Sequence, residues 1–238
     1  MKTFILSVAA LALSAGLAAA QTVRLGTEGA YPPYNFINDK GEVDGFEREM
    51  GDELCKRAEL TCEWVTNEWD SIIPNLVSGN YDVIIAGMSI TEERDKVIDF
   101  TQEYIPVAPS LYVGLSEDAD TKGVVAAQTA TIQAAHVAES GATLLEFPTP
   151  DETIAAVRNG EADVVFADGD FLMPAVKESN GELVVVEELT IGGGVGMGLR
   201  ESDTELKGKL DAAITTMKED GTLNTLIKKW FGDEALVF

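Results

Sequence analysis

The residues best placed to do chemistry lie between Asp70 and Arg94, in the stretch DSIIPNLVSGNYDVIIAGMSITEER. Val83-Ile84-Ile85-Ala86 is an unbroken apolar run with β-branched residues. That is the pattern of a parallel strand covered on both faces. The chain then turns through Gly87-Met88-Ser89, and a helix starts near Thr91. This order sets a hydroxyl, free backbone N–H groups and the Arg94 guanidinium just beyond the carboxyl end of a strand, where ligands bind in open α/β sheets. Helix N-termini favour anions, and a guanidinium fork matches a carboxylate bidentately. The chemistry expected there is the holding of a carboxylate.

The elements that position these groups follow from spacing. Ile72, Ile73, Leu76 and Val77 recur with helical period, and Gly79-Asn80 stops that helix. The same layout returns at Asp151 to Asp168, DETIAAVRNGEADVVFAD. Laid under Asp70 to Gly87 without gaps, it pairs Ile73 with Ile154, Gly79 with Gly160, Asp82 with Asp163, Val83 with Val164 and Gly87 with Asp168. The pairing suggests two similar α/β lobes, although any two helix–strand units share some of this likeness. If the lobes face each other, one loop offers Arg94 and the other Asp168. A ligand carrying both a carboxylate and an ammonium would fit between them.

Residues 1–20, MKTFILSVAALALSAGLAAA, have a basic start, an apolar stretch and a small-residue end at Ala18-Ala19-Ala20. They read as a secretory signal peptide cleaved before Gln21. No Cys follows the small residues, which argues against a lipid anchor, and no later stretch approaches the roughly 18 apolar residues of a membrane span. The chain is 45% hydrophobic and 24% charged, proportions that suit an ordinary globular core. Loss of Lys2 with the leader leaves 16 basic residues against 41 acidic ones, a net charge of −25. Such a charge argues against nucleic-acid or anionic-membrane partners. It would help steer cationic ligands, or serve solubility in a salty medium.

In chain order, Thr22–Thr27 alternates like a first strand, and Glu28-Gly29-Ala30-Tyr31-Pro32-Pro33-Tyr34 follows as a loop whose prolines and glycine exclude helix. Asn38-Asp39-Lys40-Gly41 is a turn, Phe46–Arg57 the first long helix and Cys62–Thr66 the second strand. Tyr31 and Trp69 each sit just past a strand end, so both could flank one crevice or simply pack in the core. Glu28 taken alone would be a solvated loop charge. Cys55 and Cys62 would lie at a helix end and a strand start, a geometry that a short loop can close as a disulfide in an exported chain. A metal site or two buried thiols are the alternatives; a third and fourth metal ligand are not evident, and the single His136 lies far along the chain. Ala130–Glu139 reads as a helix carrying His136 exposed or half-packed, Thr143–Phe147 and Leu183–Val186 as strands. Gly192-Gly193-Gly194 lacks the spacing of a dinucleotide fingerprint and reads as a connector into a strand at Val195–Leu199. Helices Thr204–Glu219 and Thr222–Phe231 close the chain, with Gly221 as terminator and Thr222 as N-cap.

Several of these segments together carry a resemblance. GTEGAYPPYNF, GEVDGFE, LCKRAELTCEW, WDSIIPNLVSGNYDVIIAGMSITEERDKVIDFT, GVGMGLR and EDGTLNTLIKKWFG are similar to periplasmic solute-binding proteins of family 3, the capture components of polar amino-acid ABC transporters. The likeness covers essentially the whole mature chain and is nearest to binders of lysine, arginine, ornithine, histidine, glutamine and the opines. It implies an α/β, two-lobe periplasmic-binding-protein (Venus flytrap) fold with two hinge crossovers. Lobe 1 would comprise residues 21–107 and 195–238, with crossovers and lobe 2 within 108–194. The crossovers would fall near Val107–Ser110 and Glu187–Gly194, with lobe 2 proper at about 110–188. It also implies roles: Glu28 facing the ligand side chain, Tyr31 and Trp69 sandwiching it, Gly87, Ser89 and Arg94 on the α-carboxylate, and Thr131 and Asp168 from lobe 2, the latter on the α-ammonium. The expected function is capture of a polar, cationic L-amino acid or an opine-like derivative in the periplasm and its delivery to an inner-membrane ABC permease. The protein would act as a monomer, with no cofactor, no metal and no nucleic-acid partner.

The sequence departs from the family pattern in three places. Many basic amino-acid binders have two serines where this chain has Ala86-Gly87, a pair that resembles glutamine binders. The acidic position is commonly Asp, and Glu28 is one methylene longer. Gly114–Gln128 is short and lacks a helix that opens lobe 2, and Thr129 replaces the familiar Gly before Thr131. A glutamine binder is therefore the alternative within the class. A dehydratase or a sensor on the same fold are the alternatives outside it. A dehydratase would need a general acid aimed at a leaving hydroxyl, and no acid beyond Glu28 and Asp168 stands out.

Overall fold

The structure, a computed structural model, describes residues 22–238; the leader expected at 1–20 lies outside the described residues. The first strand, β1 (Val23–Thr27), is an interior strand of a five-stranded sheet, second from one edge. Three short strands follow, β2 (Ala30–Tyr31), β3 (Asn35–Ile37) and β4 (Val43–Asp44), in a small antiparallel sheet of their own. Helix α1 (Phe46–Arg57) buries Phe46, Met50 and Leu54, four residues apart and hence on one face. It returns the chain to β5 (Cys62–Thr66), which pairs parallel with β1. Cys55 and Cys62 are joined in a disulfide between that helix and that strand, Cα to Cα 6.3 Å.

A 3-10 turn at Trp69–Ser71 leads into α2 (Ile72–Val77) and then β6 (Val83–Ile84), parallel to β1. Leu25, Val83, Ile84 and Ile85 are fully buried, and each such side chain stabilises the lobe by about 1.5–3 kcal/mol relative to exposure. Helix α3 (Glu92–Asp95) and β7 (Asp99–Phe100) follow. The chain then passes to a second sheet through β8 (Ser110–Gly114), β9 (Val124–Gln128), α4 (Ile132–Ser140), β10 (Thr143–Phe147), α5 (Pro150–Arg158), β11 (Val164–Asp168), α6 (Gly169–Glu178) and β12 (Val184–Leu189). It returns to the first sheet as β13 (Gly198–Leu199), and α7 (Thr204–Glu219) and α8 (Thr222–Phe231) pack against α1.

Three local expectations are corrected. Strand β12 begins one residue later than Leu183 and runs past Val186 to Leu189, because it pairs with β8 across a bulge as far as Leu189 opposite Ser110. The strand expected at Val195–Leu199 shrinks to β13, with Val195 held by isolated bridges to Ser89 and Ile105. Helix α8 is capped by Gly221, at φ 77°, and not by Thr222. Thr222 is its first helical residue, and its hydroxyl accepts from Arg57 Nη2 at 2.9 Å.

The two sheets have one plan. Their strand orders, β5-β1-β6-β13-β7 and β10-β9-β11-β8-β12, correspond strand for strand, with matching parallel and antiparallel neighbours. Leu25 lies opposite Val83 as Val125 lies opposite Val164. Asp82 and Asp163 serve the same purpose in each lobe: Asp82 Oδ2 accepts the Arg24 N–H at 3.0 Å, and Asp163 Oδ2 accepts the Val124 N–H at 2.7 Å. By this register Glu28, one residue past β1, and Gln128, the last residue of β9, are equivalent.

Candidate ligand-binding site

The carboxyl ends of β1, β6, β9 and β11 converge where the lobes meet. Glu28, Tyr31, Trp69, Gly87, Ser89, Arg94, Thr131 and Asp168 all line one space there. Gln128 and Gln133 line it too.

Arg94 is positioned by its helix start. Thr91 caps α3 by accepting the Arg94 N–H at 3.2 Å, and Arg94 Nη1 donates to the Ser89 carbonyl at 2.9 Å. Its Nη2 reaches across to the Ala130 carbonyl of the other lobe at 3.5 Å. The guanidinium lies over the Trp69 ring, 5.4 Å from the centroid. The chain has six arginines. Arg24, Arg48, Arg57, Arg158 and Arg200 are each paired to a carboxylate; among the described residues Arg94 alone has none within ion-pair distance. Burial pulls its pKa down to about 10, with the Asp168 charge opposing that shift, so it remains a cation at neutral pH.

Asp168 ends β11 and precedes α6. Its Oδ2 accepts from Tyr31 Oη at 2.8 Å, across the cleft, and its Oδ1 accepts from Gln133 Nε2 at 2.8 Å. Burial pushes this carboxyl up from its ordinary value, while the Tyr31 and Gln133 hydrogen bonds and Arg94 hold it back. Thr131 is the N-cap of α4: its Oγ1 accepts the Ala134 N–H at 3.1 Å and donates to the Gln128 carbonyl at 2.7 Å.

At the far end, Glu28 Oε1 accepts from Gln128 Nε2 at 2.6 Å. The two equivalent residues of the lobes thus meet across the cleft. Burial raises Glu28 to about 7; the Gln128 hydrogen bond opposes this, and the Glu68 and Glu47 charges add to it. Tyr31 stacks on Phe171 at 4.6 Å between ring centroids. Trp69 is buried, and its Nε1 has no hydrogen-bond partner. A buried donor left unpaired costs about 1–3 kcal/mol.

Sequence reasoning missed the group that holds both site loops, Glu47. It lies in the first turn of α1, fully buried, and accepts from the Gly87 N–H at 2.6 Å, from Asn35 Nδ2 at 2.7 Å and from Tyr104 Oη. Asn35 Oδ1 in turn accepts the Gly29 N–H at 2.7 Å. One carboxylate therefore ties the Glu28 loop to the Gly87 loop, and the Gly87 N–H is spent on it. The signal was an acidic residue beside Phe46 on the buried face of an amphipathic helix. Gln128, Gln133, Tyr34 and Asp170 were also missed, because only the facing of two lobes makes them neighbours.

The arrangement sets one uncompensated cation on lobe 1 against a carboxyl on lobe 2, with a third charged group some way along the cleft. It suits an elongated zwitterion. The chain matches the bacterial extracellular solute-binding proteins, family 3, over residues 23–233. A periplasmic His/Glu/Gln/Arg/opine family-binding protein from Silicibacter pomeroyi, solved in complex with lysine, is 76% identical, covering 91% of this chain and all of its own, with a TM-score of 0.90. The histidine-binding periplasmic protein of Escherichia coli (strain K12) is 33% identical over 97% of each chain. The octopine-binding periplasmic protein of Rhizobium meliloti is 30% identical over 94% of this chain and 95% of its own. The chain belongs to the family-3 extracellular solute-binding proteins, and its two-lobe fold is that of the periplasmic binding proteins.

Proposed function

We propose that this periplasmic binding protein captures a cationic L-α-amino acid of the lysine and arginine type between its lobes and delivers it to an inner-membrane ABC permease. The observation that carries the reading is Arg94, a partly desolvated guanidinium with no carboxylate of its own, set across the cleft from Asp168. In this reading Arg94, with Ser89, takes the ligand carboxylate; the expected Gly87 contact is withdrawn, because the Gly87 N–H already donates to Glu47 at 2.6 Å. Asp168 takes the ammonium, and the N-cap at Thr131 closes the lobe 2 side. Tyr31 and Trp69 flank the side chain, whose cation their π faces attract, and Glu28 meets its far end. The lysine complex of the 76% identical protein supports the choice of ligand, as does the excess of acidic residues, which draws cations.

The test is calorimetric titration of ligand-stripped protein with lysine, arginine, ornithine, histidine and glutamine. Lysine or arginine should bind tightest. Arg94→Ala should weaken every α-amino acid ligand by about 30-fold to several thousand-fold, the equivalent of about 2–5 kcal/mol. Arg94→Lys should restore only part of that loss, because an ammonium cannot form the planar fork. Near-wild-type affinity in a folded Arg94→Ala protein would overturn the carboxylate role.

One observation favours a second reading. Glu28, raised to about 7, is protonated in a large share of molecules at neutral pH, as a general acid must be. A steady-state dehydratase assay with a hydroxylated cyclohexadienyl substrate separates the two readings. The binding reading expects no turnover.

A further inference from the structure

A second chamber adjoins the ligand space on the hinge side of Asp168. It shares Ser89 and Asp168 with that space, adds Tyr34 and Asp170, and is closed by Ala108 and Gly193 from the two crossovers. Asp170 stands two residues beyond Asp168, in the first turn of α6. Its Oδ2 accepts from Tyr34 Oη at 3.0 Å, across the cleft. Among the described residues it meets no Lys or Arg side chain. Nothing in the roles assigned above uses this carboxylate.

We propose that Asp170 is a specificity-determining residue that confines the site to amino acids with an unsubstituted α-nitrogen and rejects N-carboxyalkyl derivatives. The inference rests on the reading of Asp168 as the partner of the α-ammonium. A ligand held by Arg94 and Asp168 sends its side chain toward Glu28, so a group on its nitrogen is directed past Asp168 into the hinge chamber. An unsubstituted ammonium faces two carboxylates there and gains from both. An N-carboxyalkyl group sets an anion beside Asp168 and Asp170 in a chamber closed by the crossover segments. With little water between them, like charges repel far more strongly than at a surface. The discrimination is thus a built-in repulsion, as specific sites commonly use. Octopine, N2-(1-carboxyethyl)-L-arginine, is the diagnostic probe. Its guanidinium end is that of arginine, so the Glu28 end cannot tell the two apart.

The experiment is titration of the stripped, exported protein with arginine, octopine and lysine at pH 8, an alkaline pH chosen because burial pushes the Asp170 carboxyl up. Wild type should bind arginine at least about tenfold tighter than octopine. Asp170→Asn should shrink that ratio about tenfold or more, mainly by improving octopine. Tyr34→Phe deletes the hydrogen bond and keeps the charge, so it should leave the ratio within about threefold. Asp170→Ser is read in the same way should the Asn variant not fold. A wild-type ratio near one, or an unchanged ratio in a folded Asp170 variant, would overturn the inference and leave the cationic amino-acid reading standing. Binding of neither arginine nor lysine would instead overturn that reading, and this inference with it.

Discussion

Glu28 and Glu47 are both buried carboxyls, and the difference between them is what each one faces. Glu28 faces the ligand space, with Gln128 as its only side-chain hydrogen-bond partner among the described residues. Burial between the lobes raises it to about 7. A cationic side chain beside it favours the carboxylate, so the bound form holds fewer protons than the empty one. Binding should therefore release protons, and affinity for lysine should rise with pH and level off above about 7. Calorimetry in buffers of different ionisation enthalpy reads the released protons directly. Glu28→Gln should abolish both the release and the pH dependence while sparing glutamine binding, and a pH-independent lysine affinity in wild type would contradict the assignment. Glu47 faces protein only, where its two oxygens accept three donors. Glu47→Gln replaces one acceptor with a donor and sets it against Asn35 Nδ2 or the Gly87 N–H. An unpaired buried polar group costs about 1–3 kcal/mol, which urea denaturation should register. Because both site loops hang from this residue, affinity should fall for cationic and neutral ligands alike. A loss confined to cationic ligands would mean that Glu47 acts through its charge and not through position.

At the scale of elements, tight packing and one covalent link hold lobe 1 in shape. Gly26, in the middle of β1, has no room for a methyl group: a Cβ there would lie 2.6 Å from the ring of Tyr81. Tyr81 is fully buried and donates to the Ile72 carbonyl, so its ring has nowhere to go. Gly26→Ala should destabilise the protein by about 1–3 kcal/mol, the usual effect of overpacking, as seen in its denaturation midpoint. Cys55 and Cys62 close a loop of sequence separation 7. Cross-linking so short a loop stabilises by about 2–3 kcal/mol in the chain-entropy picture, and reduction should lower the denaturation midpoint accordingly. The elements that were legible in the sequence are those with a local cause. Phe46–Arg57, Cys62–Thr66 and Thr143–Phe147 declare themselves by period and by turn residues, and the structure keeps the same bounds. The repeat between Asp70–Gly87 and Asp151–Asp168 was legible for a like reason, since Asp82 and Asp163 pin the same backbone position in each lobe. What was not legible depends on partners far along the chain. The end of β12 is fixed by β8, through residues that read as exposed acids. The α8 cap went to Gly221 while the Thr222 hydroxyl turned to Arg57, 165 residues away. Arg94 could be placed because it lies in the first turn of a helix that follows a buried strand, and Asp168 because it ends one. Gln128, Gln133 and Asp170 could not, since nothing local marks a glutamine or an acid as facing a second lobe.

At the scale of the molecule, the two lobes touch through polar contacts that a ligand would have to replace or join. Tyr31 reaches Asp168, Tyr34 reaches Asp170, Gln128 reaches Glu28, and Arg94 reaches the Ala130 carbonyl. Each is a single hydrogen bond with an ionisable group on one side, worth at most about 1.5–3 kcal/mol net of the water it displaces, and less where burial favours the neutral carboxyl. An amino acid adds two charge-assisted anchors, one on each lobe, which are roughly twice as strong as neutral ones. Only the closed arrangement satisfies both anchors. A ligand shifts a two-state equilibrium by its differential affinity for the two states and by nothing else, so losing either anchor should uncouple binding from closure. Asp168→Asn keeps the hydrogen-bonding shape and removes the lobe 2 charge. It should still bind lysine through Arg94 on lobe 1, weakly, but saturating lysine should no longer contract the molecule. Small-angle scattering of wild type with and without lysine should show a smaller radius of gyration in the bound state, and the folded Asp168→Asn protein at matched saturation should not. Thermal unfolding offers a parallel reading: at a hundredfold excess over Kd the wild type should gain about 2.7 kcal/mol from bound ligand. Full contraction of Asp168→Asn on lysine would mean that the cross-lobe hydrogen bonds, and not the paired anchors, drive closure.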